Sequence, residues 1–78
     1  MRLKDARKGL GLGRLRASKM CGMRPPDLFR IETGKRTPGI KVAMRTAQGL
    51  GLDPREIDEF GPAVAEAEAA GLVVDEER

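Results

Sequence analysis

The sequence predicts an all-α fold: five short helices packed compactly, followed by a short C-terminal helix or tail. Three observations point there. Apolar residues recur at helical spacing, Leu28 with Ile31, and Ile40 with Ala43 or Met44, Ala47 and Leu50, so each set shares one helix face. Glycines and prolines fall between these sets, where helices stop and start. Seventy-eight residues make one domain, near the lower limit for a self-sufficient core.

In chain order, Met1 to Lys8 reads as the first helix, with Leu3 and Ala6 facing inward. Gly9-Leu10-Gly11-Leu12-Gly13 breaks it. That glycine spacing imitates a nucleotide-binding loop, but no strand precedes it and the chain is too short for a dinucleotide fold. The second helix runs from about Arg14 to Met20, starting after Gly13 rather than after a capping side chain. Cys21-Gly22-Met23-Arg24 is a tight turn, with Gly22 free to take a left-handed conformation. Pro25 suits the first position of a third helix, because its fixed φ is already helical and its missing N–H has no helical partner. That helix runs to Thr33 and ends at Gly34.

A basic loop leads to the fourth helix, about Ile40 to Gly49. Asp53-Pro54-Arg55-Glu56 signals a fifth: an Asp cap, Pro at the first position and Glu to complete a capping box. It presents Ile57 and Phe60, and Gly61-Pro62 breaks it. Ala63 to Ala70 is alanine-rich and helical, and Gly71 closes it. Leu72-Val73-Val74 and the acidic end carry no signal for a particular element. The division is therefore 1–60 as the main domain and 61–78 as a C-terminal helix or tail.

Charge is distributed unevenly along the chain. Residues 1–50 hold 13 Lys/Arg against Asp5, Asp27 and Glu32, a net of +10, while residues 51–78 hold Arg55 and Arg78 against nine acids, a net of −7. Simple solvation mixes the signs; a basic front half instead suits one surface that faces a polyanion. Chemistry is hard to place. With no His and no convergent carboxylates there is no acid–base machinery, so an enzyme is not expected. One Cys without His forms no metal site, and no cofactor is expected. Cys21 reads as a small buried hydrophobe. A lone Cys makes no internal disulfide, and neither a signal peptide nor a membrane-spanning run is visible, which fits the cytoplasm.

A helix, a glycine turn and a second helix bearing Arg24 and Arg30 make a helix-turn-helix, which delivers its second helix to a DNA major groove. The ordered set Arg7, Gly11-Leu12, Gly22-Met23, Leu28-Phe29-Arg30-Ile31-Glu32-Thr33-Gly34-Lys35-Arg36-Thr37-Pro38 and Ala47-Gln48-Gly49-Leu50-Gly51 resembles the Cro and phage-repressor helix-turn-helix regulators, the xenobiotic-response-element-like group. The resemblance covers about residues 2 to 60. It implies a cytoplasmic protein of bacterial or phage origin, bound to double-stranded DNA.

Carried over position by position, the resemblance places Arg24, Pro25, Pro26, Asp27 and Arg30 at base edges. Arg30 suits guanine O6 and N7; Asp27 either accepts from cytosine N4 or stabilises the helix N-terminus. Phosphate contacts fall to Arg14, Thr33, Lys35, Arg36 and Lys41, with backbone N–H groups near Thr33 and Gly34 assisting. Phe29, at a site usually polar, is expected to fill volume left by Ala17. Arg7 and Glu32 correspond to an ion pair between the first helix and the recognition helix. An aromatic-poor core, with Leu52, Ile57, Phe60, Val64, Leu72, Val73 and Val74, suggests apolar surface left for a homodimer. The favoured reading is a small Cro-like repressor that binds a palindromic operator as a dimer. The alternative is a DNA-binding antitoxin whose acidic C-terminal segment binds a toxin. A third reading, an interaction module without DNA binding, predicts loss of the basic residues that are abundant here.

Overall fold

The computed structural model describes residues 1–71. Among them are five α-helices, α1 (Leu3–Gly9), α2 (Arg14–Cys21), α3 (Pro25–Glu32), α4 (Ile40–Leu50) and α5 (Gly61–Ala69), two short 3-10 turns, Pro54–Glu56 and Asp58–Phe60, and no strand. The all-α expectation holds. No helix of the described residues is long and apolar enough to cross a membrane.

The punctuation residues do what their chemistry dictates. Gly22 takes φ 70° and closes α2: the Met23 N–H bonds the Ser18 carbonyl at 2.9 Å and the Gly22 N–H bonds the Lys19 carbonyl at 3.2 Å. Such a left-handed closure satisfies carbonyls that the helix end leaves open. Arg24, immediately before Pro25, is extended at φ −83°, ψ 150°, because the proline ring disfavours helical backbone in the residue ahead of it. The chain therefore turns sharply between α2 and α3.

The α2 helix packs on α4 and α3, and α5 packs on α4 and both 3-10 turns. Leu3, Ala17, Cys21, Leu28, Ile31, Ala43, Ala47, Ile57 and Phe60 are buried at the centre. Each fully buried large aliphatic or aromatic among them contributes about 1.5–3 kcal/mol. The α2–α4 contact is close. A Cβ added at Gly49 would lie 2.5 Å from the Met20 carbonyl oxygen and 3.0 Å from the Cys21 Cα, so the helices meet backbone to backbone there. The buried hydroxyls are satisfied locally: Ser18 donates to the Leu15 carbonyl and Thr46 to the Val42 carbonyl.

The region after α4 departs from the sequence reading. Asp53 does cap, accepting from the Arg55 N–H at 3.0 Å, but the helix it starts lasts only Pro54–Glu56. Ile57 then becomes extended, φ −100°, ψ 120°, before the second 3-10 turn. This kink buries both Ile57 and Phe60. Gly61-Pro62 does not break a helix; it begins α5, where a proline in the first turn costs no hydrogen bond.

The dimer assignment changes with it. Ile57, Phe60 and Val64 are buried within one chain, and Leu52 packs against the same core. None of the first three can form a surface patch, because the small core needs them itself. Leu72, Val73 and Val74 lie outside the described residues. The turns also hold α1. Arg2 supplies no side-chain cap, and Glu59 instead accepts from the Leu3 N–H at 2.8 Å, an acid placed at the positive end of the helix.

Candidate nucleic-acid interface

α3 presents two contrasting faces. Leu28 and Ile31 are fully buried, while Arg24, Pro26, Phe29 and Arg30 are exposed and Pro25 and Asp27 lie between. The buried pair fixes the rotation of the helix, so its arginines can only project outward.

The exposed end of α3 is organised by Asp27. Its Oδ1 accepts from Arg30 Nη1 at 3.1 Å and lies 4.0 Å from Arg36 Nη1; its Oδ2 is 3.6 Å from Arg24 Nε. Three guanidinium groups thus converge on one carboxylate, leaving a strongly positive rim. Behind the rim, a cleft of ≈ 230 Å³ is lined by Gly22, Met23, Arg24, Asp27, Arg36, Val42 and Arg45. Arg45 reaches the Gly22 carbonyl at 3.5 Å. The sequence reading left Arg45 out. It stands four residues after Lys41, one helical turn along the same stripe, and that spacing was the available signal.

A second set of contacts ties α1, α2 and α3 together. Arg7 of α1 donates to both Glu32 oxygens, and Arg14 Nε stands 3.9 Å from Glu32 Oε1. The Arg14 guanidinium also lies 4.4 Å from the centre of the Phe29 ring, a cation–π distance. Phe29 therefore does not fill volume beside Ala17: it remains 38% exposed and stacks under Arg14. Ala17 is itself wholly buried.

Thr33, Lys35, Arg36 and Lys41 are all exposed. The backbone N–H groups expected near Thr33 and Gly34 are not free for phosphate. They bond the Phe29 and Ile31 carbonyls, and those of Lys35 and Arg36 both bond the Arg30 carbonyl. The end of α3 uses them to close itself. Open donors lie elsewhere: α2 and α4 start after Gly13 and Gly39, and neither has a side-chain cap. Uncapped helix N-termini point N–H groups and a positive dipole end at any nearby anion.

Cys21 lies in the core, its thiol directed at the Thr46 carbonyl 3.6 Å away, and burial pushes its pKa up. It is a packing residue. No cluster of potential metal ligands occurs among the described residues.

A family model described as helix-turn-helix matches residues 3–57, which spans α1 through the first 3-10 turn. No curated protein and no solved structure gives a match.

Proposed function

The chain belongs to the Cro/repressor-type helix-turn-helix family of DNA-binding transcriptional regulators, and from that premise we propose that it is a small repressor reading a palindromic operator through α3. The observation that carries this is the exposed arginine rim of α3 set against its fully buried Leu28 and Ile31. Arg30 contacts guanine, with Arg24 and the Pro25–Pro26 rings beside it at the groove. Arg14, Thr33, Lys35, Arg36 and Lys41 contact phosphates, joined by Arg45 and the uncapped starts of α2 and α4.

Two copies act together on the operator. One recognition helix brings only about three or four side chains to base edges, too few to single out a site among the roughly 10⁶–10⁹ competitors in a genome. A two-fold pair on half-sites about 34 Å apart doubles the recognised sequence. With Ile57, Phe60 and Val64 occupied in the core, pairing uses other surfaces or is completed on the DNA.

The experiment is selection from a randomised duplex pool, followed by stoichiometry on the recovered sequence. An inverted repeat bound by two chains is expected. Enrichment of no sequence would overturn the reading, and a single half-site bound by one chain would overturn the paired arrangement.

A further inference from the structure

We propose that Asp27 is a specificity-determining positioning residue: its carboxylate reads no base but holds the Arg30 and Arg24 guanidinium groups in the geometry with which Arg30 meets guanine. The proposal rests on the reading of α3 as the base-contacting helix.

Both carboxylate oxygens are already engaged. Oδ1 takes the Arg30 hydrogen bond at 3.1 Å and Oδ2 faces Arg24 Nε at 3.6 Å. A cytosine amino group would have to share the carboxylate with these cations, which weakens any base reading through it. The acid also lies behind the cations: its side chain is 21% exposed, against 55% for Arg30 and 80% for Arg24. A carboxylate in this place opposes phosphate, and so weakens binding to every sequence. Its benefit is geometric. A solvated arginine loses rotamer freedom when it settles on a base edge. An acid three residues earlier on the same helix removes part of that freedom before DNA arrives.

Asp27 also lies in the first turn of α3, where any acid favours the helix. The two roles move different quantities. Helix stabilisation shifts the melting temperature and the affinity for all duplexes together. Positioning shifts the ratio between the right duplex and a wrong one.

The test uses the full chain, a duplex recovered from a randomised pool by the unmodified protein, and a scrambled duplex of the same composition. Asp27→Asn should bind the scrambled duplex more tightly. Its cognate-to-scrambled ratio should fall by about tenfold, within the range of a bidentate arginine–guanine contact. Added to Arg30→Ala, the same change should alter the ratio by less than about twofold, since the effect passes through Arg30. Asp27→Glu keeps the charge on a longer arm; it should lower the ratio without tightening scrambled binding, and it carries the test should Asp27→Asn fold poorly. An unchanged ratio in both variants overturns the proposal, as does an undiminished effect in the Arg30→Ala background, which would make Asp27 an independent reader. If the unmodified protein enriches no duplex, base reading by α3 fails and the positioning role with it.

Discussion

Arg7 and Glu32 form a two-pronged ion pair in the interior: Arg7 Nε donates to Glu32 Oε2 at 2.6 Å and Nη2 donates to Oε1 at 3.1 Å, with side chains only 5% and 2% exposed. A third N–H of the same guanidinium bonds the Leu12 carbonyl at 2.8 Å. One side chain of α1 thereby fixes the end of α3 and the loop before α2.

Removing one partner leaves the other's desolvated charge without its two-pronged partner, at a cost of roughly 3–5 kcal/mol. A domain of this size has only about 5–15 kcal/mol in total. Glu32→Ala should therefore lower the melting temperature by more than about 10 °C. Arg36→Ala, on the surface, should cost no more than about 0.5 kcal/mol. The Arg7→Ala, Glu32→Ala double variant should lose less than the two single losses summed. Thermal melts of the four proteins decide it; a Glu32→Ala melt matching that of Arg36→Ala would remove the pair from the stability of the fold.

Gly49 lets α4 approach the backbone of α2 closely. Alanine is intrinsically favoured over glycine inside a helix by about 1 kcal/mol, but its Cβ would meet the Met20 carbonyl oxygen and the Cys21 Cα, which are backbone atoms that cannot rotate away. Overpacking of this kind typically costs about 1–3 kcal/mol. Gly49→Ala should be destabilising in urea titration, while Gly9→Ala, also within a helix and with no atom within 4 Å of an added Cβ, should not be. Equal midpoints for the two variants would show that α2 and α4 part without penalty.

The buried Cys21 thiol should resist thiol-specific reagents until the chain unfolds. Because burial raises its pKa, the folded state favours the neutral thiol. That contribution to stability is complete below the unfolded thiol's pKa of about 8.5 and is lost as pH rises above it, since the unfolded chain ionises first. Between pH 7 and 10 the melting temperature should fall more steeply for the unmodified protein than for Cys21→Ala. Parallel curves would argue against a desolvated thiol.

Much of this was legible before the structure, and the reasons can be assigned to particular residues. Gly22, Gly34 and Pro25 act locally, so the turn and both ends of α3 followed from backbone chemistry alone. The Asp53-Pro54 cap was also legible, but a cap signals where a helix starts and not how long it runs. The demand to bury Ile57 and Phe60 together is tertiary, and it interrupted that helix at Ile57. The same demand explains why Ile57, Phe60 and Val64, which look surplus in an aromatic-poor sequence, are core residues. Asp27 was visible as an acid near Arg24 and Arg30. Its contact with Arg36 was not, because that depends on how the loop after Gly34 folds back along α3.

Phe29 and Arg14 offer a test of the outer edge of the interface. An exposed cation–π pair contributes about 0.5–1 kcal/mol, so Phe29→Ala, which also loses part of a half-exposed ring's apolar burial, should cost no more than about 2 kcal/mol of stability. It should free Arg14 from its stacked position and weaken cognate and scrambled duplexes alike, as loss of a phosphate contact does. A selective loss on the cognate duplex would instead place Phe29 among the base-reading residues.

The most direct measurement of sequence reading by α3 is the affinity of Arg30→Ala and Arg36→Ala for the selected duplex and its scrambled counterpart across a salt series. For the unmodified protein, log affinity should fall linearly with log salt as neutralised phosphates release counterions. Arg36→Ala should weaken both duplexes equally and make the salt slope shallower by about 1. Arg30→Ala should cost roughly 1–3 kcal/mol on the selected duplex and relax a single base position. Equal losses on both duplexes for Arg30→Ala would contradict base reading by α3.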